Sequence, residues 1–377
     1  MTVDPKDWIA VAALPSLGPA SIKRLWEMGW TPDKLLNASP LEWQRLDLKQ
    51  KTIIALQEYQ ASDSGLLHQA TENVLQWQAL ANDAYVLPIT HEAYPQLLRE
   101  IYDPPPLLFV RGDLNALNLP QIAIVGSRSA TVSGLKHAYA FSSGLSKSGL
   151  AVNSGLAMGV DAAAHQACVD ADGATVAVFG TGLDRIYPTR NQTLAVEILS
   201  KGGAWVSEFF PGTPPLAPNF PRRNRIISGM SAGVLVVEAA PRSGSLITAR
   251  MAMEHGREVF ALPGPLNNPL SRGCHLLIKE GAVLVETASD IVDQLGSLLG
   301  SYLDDECVVS AKESEEDDLS NFSDKEILVM KQMGYEVCFI DQLSLSCDFE
   351  ISELSQLLVE MELKGVLEQR DGGYIRC

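Results

Sequence analysis

With 377 residues, 46% hydrophobic and 20% charged, the chain has room for two or three separate cores and is too apolar to be disordered. No stretch approaches the ~18 consecutive apolar residues of a membrane-spanning helix, and the opening segment, which holds Asp4, Lys6 and Asp7, is not a signal peptide. A cytoplasmic protein is therefore expected, and its formal net charge of −17 argues against a polyanionic partner until that charge is divided along the chain.

The division is uneven. Residues 1–119 hold 9 Lys plus Arg against 14 Asp plus Glu, residues 301–377 hold 6 against 19, and residues 120–300 hold 14 against 13. The middle segment alone escapes the negative field (14 − 13 = +1), and local charge, not the total, decides where an anion docks. The six cysteines, at 168, 274, 307, 338, 347 and 377, form no Cys-x-x-Cys pair. Buried free thiols are expected, with no metal site, no cofactor and no disulfide framework.

From about Asp7 to Leu80 apolar residues recur at helical spacing. The run Leu14-Pro15-Ser16-Leu17-Gly18-Pro19-Ala20 leads into Ile22, Leu25 and Trp26, and a glycine turn before a helix N-terminus can aim backbone N–H groups at a phosphate. A helix-hairpin-helix or SAM-like domain over residues 1–80 fits this pattern. A plain helix-turn-helix packing unit fits it equally, since only Lys23 and Arg24 supply cations nearby.

Residues 81–119 carry two short strand-like runs, Tyr85–Ile89 and Leu107–Arg111, as a lead-in to the next block. There one unit repeats: an apolar strand, a small-residue turn, an amphipathic helix. Strands are expected at Ile122–Val125, Ala151–Asn153, Val176–Phe179, Ala204–Ser207, Val234–Glu238, Val259–Leu262 and Val283–Val285. Helices between such runs predict an α/β fold with a doubly wound parallel sheet over residues 81–300.

The eight carboxylates between Asp304 and Asp318 predict an acidic linker over residues 301–322. Residues 323–377 then read as three helices and a hairpin turning at Asp371-Gly372-Gly373, the order of a winged helix. Its five basic residues face eleven acidic ones, and the candidate recognition helix Glu350–Lys364 carries Glu353, Glu360 and Glu362. That charge suits docking to a protein better than docking to DNA.

In a doubly wound sheet, ligands sit at the carboxyl ends of the strands. The turns there read Gly126-Ser127-Arg128, then Ser154-Gly155 through Gly159 to Asp161, then Gly180-Thr181-Gly182-Leu183-Asp184 with Tyr187-Pro188, and Ser243-Gly244-Ser245. Glycines let backbone N–H groups approach an oxyanion, and each following helix N-terminus favours negative charge. Between Phe220 and Arg257 six arginines, at 222, 223, 225, 242, 250 and 257, stand against two acids. Their planar forks suit phosphate oxygens.

The turns and arginines point to a phosphate-bearing ligand, and neither a dinucleotide cofactor nor a hydrolytic substrate fits them. The β-turn-α sequence Gly126-Ser127-Arg128-Ser129-Ala130 lacks the second glycine of a dinucleotide fingerprint, and no Walker-type loop is present. Asp161 and His165, four apart on one helix, could hydrogen-bond to each other, but a capping Asp beside a satisfied His is the commoner arrangement and no catalytic residue is assigned. Ser127, Ser154 and Ser245 serve as hydroxyl donors. Phe209, Phe210, Phe220 and Tyr187 are candidates for stacking on bases, Phe220 foremost.

These residues together resemble the DprA family, also called Smf, of bacterial DNA-processing proteins. The resemblance runs through Tyr94-Pro95, Asp103-Pro104-Pro105, the turns above, Ser207-Glu208, Phe220–Ile227, Glu238-Ala239, Ser243–Ala249, Pro263-Gly264 and Gly281-Ala282. It implies an extended Rossmann core that dimerises and binds single-stranded DNA without sequence preference. It also implies loading of the recombinase RecA during natural transformation, with displacement of single-strand-binding protein, and accessory domains at either end.

By position, Arg128 is similar to the family's principal phosphate-binding arginine. Gly155, Gly159, Gly182, Ser243, Gly244 and Ser245 match pocket walls, and Phe220, Arg223 and Asn224 match the DNA-contacting segment; Arg222 and Arg225 in the same run, and Gly126 and Ser127 beside Arg128, are further candidates for single-stranded DNA binding. Thr189 stands where relatives often carry lysine, and Arg190 is the substitute beside it. Gly273-Cys274-His275 departs from the Asn of many relatives. The chief rival is a nucleoside-monophosphate phosphoribohydrolase on a similar core, but Glu238-Ala239-Ala240-Pro241-Arg242-Ser243-Gly244-Ser245 lacks its Pro-Gly-Gly-x-Gly-Thr turn and catalytic acid. A scaffold whose winged helix recruits partners, with DNA secondary, is the third reading.

Overall fold

The computed structural model describes residues 4–62, 64–299, 323–333, 338–347, 349–364, 366–370 and 373–376. The chain divides into two compact units between residues 311 and 312. The first is organised on nine strands: β1 (Ala84–Pro88), β2 (Leu107–Gly112), β3 (Gln121–Val125), β4 (Ala151–Ser154), β5 (Thr175–Val178), β6 (Ala204–Ser207), β7 (Gly233–Val236), β8 (Glu258–Ala261) and β9 (Val283–Leu284). Their order across the sheet is β1-β2-β6-β5-β4-β3-β7-β8-β9.

All pairs from β6 to β9 are parallel, as the valine-bearing runs predict, and the strand ends fall within two residues of the expected ones. The two lead-in runs become part of the same sheet. β2 pairs antiparallel with β6, and β1 antiparallel with β2. Alternation along the strands feeds two cores. Ile122 and Ile124 of β3 pack with Phe141 and Leu145 on one face, whereas Ala123 and Val125 join Ile226 and Ile227 on the other.

The N-terminal helices contribute to the second of these cores. Trp8, Trp43, Leu56, Val74 and Trp77 are buried in one cluster with β1 and β2, and the Trp77 ring meets Phe109 edge-on at 5.8 Å. Gly18 opens the helix Pro19–Glu27, as the hairpin reading expects. Lys23, one of the two cations there, donates instead to the Ile101 carbonyl at 2.8 Å and so fastens that helix to the sheet domain.

The second unit has helices Asp324–Met333, Ile340–Cys347 and Ile351–Leu363, followed by the antiparallel pair β10 (Leu367–Arg370) and β11 (Gly373–Arg376). This is the expected winged-helix order. Leu354, Leu358 and Met361 bury one face of the third helix, and Glu353, Glu360 and Glu362 stay exposed. The acidic linker and the turn residues Asp371 and Gly372 lie outside the described residues.

Candidate nucleic-acid interface

The order β4-β3-β7 places the reversal of winding at β3. After β3 the chain enters the helix Val132–Lys147 on one face of the sheet, and after β7 it enters the helix Gly244–Glu254 on the other. The loops part there and leave a crevice. A hollow of about 690 Å³ occupies it, lined by Gly126, Ser127 and Arg128 from the first loop and Ser243, Gly244 and Ser245 from the second. The helix Asn219–Met230 adds Phe220, Arg223 and Asn224.

The second loop presents a helix N-terminus. Ser243 is the N-cap of Gly244–Glu254 but its hydroxyl pairs with that of Ser245 at 2.7 Å and caps no backbone N–H. The first-turn N–H groups have no intrahelical acceptor, and the positive end of the helix dipole lies at the wall of the hollow. An anion satisfies both.

Arg223 supplies a buried cation. Its Nη1 donates to the carbonyls of Gly155, at 2.8 Å, and Val178, while Nε donates to the Asn224 amide oxygen at 3.3 Å. Burial lowers its pKa to about 10, against the stabilising Asp161 and with a further push from Arg128. The guanidinium is still charged at neutral pH. Asp161 accepts from the N–H groups of Gly155 at 3.1 Å and Ala157 at 3.3 Å. Burial pushes its carboxyl up, opposed by Arg223 and those N–H groups.

Arg128 is the exposed cation of the hollow, and among the described residues it makes no ion pair. It also borders a second hollow of about 770 Å³ that contains Gly159 and the exposed Arg190. Gly159 has φ +80°, and a Cβ there would overlap the Ser127 carbonyl. Only glycine lets the two turns meet so closely. Phe220 faces Tyr187 with ring centroids 5.5 Å apart, and both line the first hollow.

Other expected site residues lie elsewhere. Gly155 touches the hollow only through Arg223, whose guanidinium its missing Cβ accommodates. Gly182 is buried under Asp184 and the Phe210-Pro211 backbone. Arg222 turns to a cleft of about 480 Å³ beside Ser16, Leu17 and Gly18, where it pairs with Glu208 at 2.7 Å and lies over the Phe209 ring at 5.4 Å. Arg225 is buried between Glu208, at 2.6 Å, and Asp103, at 3.3 Å. Three arginines within four residues thus take two directions: Arg222 and Arg225, three apart on one helix face, share Glu208, whereas Arg223, about 100° round from Arg222, turns to the hollow. Phe209 is buried, and Phe210, half-buried, packs on the core edge-on to Phe109 at 5.3 Å.

The conceivable Asp161–His165 hydrogen bond does not form. His165 is fully buried and its Nδ1 lies 2.7 Å from the Thr175 hydroxyl, which itself donates to the Val152 carbonyl. The imidazole is therefore the donor at Nδ1, and burial with the Arg223 charge lowers its pKa to about 3. Burial likewise raises the Cys168 and Cys274 thiols to about 12, so both are inert. Among the described residues, no cluster of His, Cys, Asp or Glu could hold a metal ion and no helix is long and apolar enough to cross a membrane. Sequence reasoning missed Pro215, Ala217, Ala240 and Leu270, apolar or small lining residues that carry no motif.

Comparison with known proteins bears on this architecture. The family model for DNA recombination-mediator protein A matches residues 85–296, and that for the DprA winged helix domain matches residues 311–373. Protein Smf of Escherichia coli is 44% identical over 305 residues, 81% of this chain and 80% of that one. The DNA processing protein DprA of Streptococcus pneumoniae is 48% identical over 204 residues, 54% of this chain and 72% of that one. Its X-ray structure superimposes with a TM-score of 0.67 at 37% identity, covering 78% of this chain and 99% of the other. A structure of DNA processing protein A from Helicobacter pylori, described for its unique single-stranded DNA binding mode, gives a TM-score of 0.51 at 29% identity over 57% of this chain and 96% of that one. With its sheet, its strand-end turns and its C-terminal winged helix all accounted for, the chain belongs to the DNA recombination-mediator protein A (DprA/Smf) family.

Proposed function

We propose that the hollow at the β3–β7 crevice binds single-stranded DNA without sequence preference, and that the protein uses this binding as a non-catalytic recombination mediator. The observation that carries the reading is Arg128: an exposed, unpaired cation between two hollows, opposite a helix N-terminus that lacks a side-chain cap. Phosphates meet Arg128, Arg190 and the Ser243–Ser245 turn, and bases stack at the Phe220–Tyr187 pair. Asp161, the carboxylate that lines the hollow, is engaged by two backbone N–H groups and Arg223, so it is poorly placed to serve as a general base.

Loading of RecA onto the bound strand, displacement of single-strand-binding protein, a homodimer that offers two seats to one strand, and a cytoplasmic setting complete the proposal. The winged helix, acidic on its exposed third-helix face, serves as a protein-docking module.

Titration of labelled oligothymidylate against the full chain tests the core of this reading. Affinity should fall with salt at a slope of ~0.7 per phosphate neutralised. Arg128→Ala should weaken binding about tenfold for oligonucleotides of every sequence, with a shallower salt slope. Unchanged affinity in that variant would remove the hollow as the DNA site. Release of free base from nucleoside monophosphates would show an enzyme instead.

A further inference from the structure

We infer that Glu238 is the positioning residue for Arg128, fixing the turn that presents this cation; the inference rests on the reading of the hollow as a DNA seat. Glu238 lies two residues beyond β7, is buried, and does not line the hollow. Its carboxylate takes both donors of one residue in the first loop: the Thr131 N–H reaches Oε2 at 2.9 Å and the Thr131 hydroxyl reaches Oε1 at 2.7 Å. Thr131 is the N-cap of the helix Val132–Lys147 and accepts the Gly134 N–H at 3.0 Å. A Cβ on Gly134 would overlap the Glu238 carboxylate, so the helix start rests directly on it.

The same turn is anchored at its other end. The Ser127 carbonyl accepts the Val160 N–H at 3.2 Å and is packed by Gly159. Arg128 stands between these two fixed points with its own side chain unpaired. Glu238 Oε1 also accepts from Asn268 at 3.4 Å, and Asn268 in turn holds the Leu270 N–H at 2.9 Å, so one carboxylate ties the β3 turn to the opposite wall of the hollow.

An anion is electrostatically the wrong group beside a seat for phosphates. If Glu238 acted through its charge, neutralising it would strengthen DNA binding. If it acts through geometry, neutralising it weakens binding, because the turn loses an acceptor and Arg128 its fixed place. The two roles predict opposite signs.

The test uses the full chain and labelled oligothymidylate. Glu238→Gln and Thr131→Val should each weaken binding about five- to tenfold, Thr131→Ser should stay near the parent, and Glu238→Gln should add nothing in an Arg128→Ala background. Amide hydrogen exchange of residues 126–131 without DNA should quicken in Glu238→Gln and Thr131→Val alone, and this readout stands even if DNA binds elsewhere. Unchanged or tighter binding by Glu238→Gln, an equal loss in the Arg128→Ala background, or unaltered exchange would overturn the assignment. An Arg128→Ala variant that binds normally, with quickened exchange still seen in Glu238→Gln, would instead discard the hollow as the DNA seat while leaving the Glu238 anchor in place. Should Glu238→Gln not fold, the Thr131→Val and Thr131→Ser pair decides alone.

Discussion

Arg223 reaches 68 residues back along the chain to hydrogen-bond the Gly155 carbonyl at 2.8 Å, and the two positions specify one another. A side chain at 155 would occupy the space of the guanidinium. The link joins the β4 turn to the helix Asn219–Met230 and sets the floor of the hollow.

Gly155→Ala should therefore be costly. The guanidinium is held by two carbonyls and cannot swing away, so overpacking of about 1–3 kcal/mol is expected in urea denaturation, together with weaker oligonucleotide binding. Gly18→Ala is the control. No atom lies near its missing Cβ, so no overpacking arises there, and only the loss of a favourable N-cap residue, about 1 kcal/mol or less, is expected.

Arg225 and Arg222 should separate in the same assay. Arg225→Ala strips a buried carboxylate of its closest partner and should cost about 3 kcal/mol or more. Arg222 is half exposed and shares Glu208 with Arg225, so Arg222→Ala should cost about 1 kcal/mol. Equal losses would contradict the division of roles between them.

Acid should weaken the fold through His165. Its folded-state pKa of about 3 lies below the ordinary 6.5, so the unfolded chain binds the proton first and stability is lost as pH falls from 6.5 toward 3. Between pH 7.5 and pH 5 this group alone should remove about 2 kcal/mol. His165→Gln should unfold more readily at pH 7.5 yet show a flatter pH dependence by that amount. A parallel pH profile would mean that His165 is not protonated on unfolding.

Truncation should distinguish the two ends of the chain. Removing residues 312–377 deletes a separate compact unit and should leave the melting of the remainder and its oligonucleotide binding within error. Removing residues 1–80 takes Trp8, Trp43 and Trp77 out of a core shared with β1 and β2, and should lower the melting temperature by more than about 10 °C or abolish folding.

The parallel strands were legible because short valine-bearing runs between helices have few other solutions. The antiparallel β1 and β2 were legible as strands but not in direction, since an apolar run carries no sign of which way it pairs. Around the hollow, Arg128, Ser243 and Phe220 could be placed from their turns. The fates of Arg222 and Arg225 could not, because Glu208 and Asp103, the acids that hold them, lie 14 and 122 residues away in sequence (222 − 208 and 225 − 103). Asp161 and His165 show the same limit. Helical spacing allows them to meet, but one faces the N–H groups of its own turn and the other faces Thr175.

The enclosure of Arg223 has a last consequence. Dissolved ions gather readily around Arg128 and Arg190 at the surface, and concentrated salt dulls their pull. They cannot surround a guanidinium that is 5% exposed and wrapped by backbone carbonyls. Of the two cations that line the first hollow, Arg128 and Arg223, only the latter is walled off from counterions, so concentrated salt screens the outer charge while the inner one stays bound to the protein's own backbone.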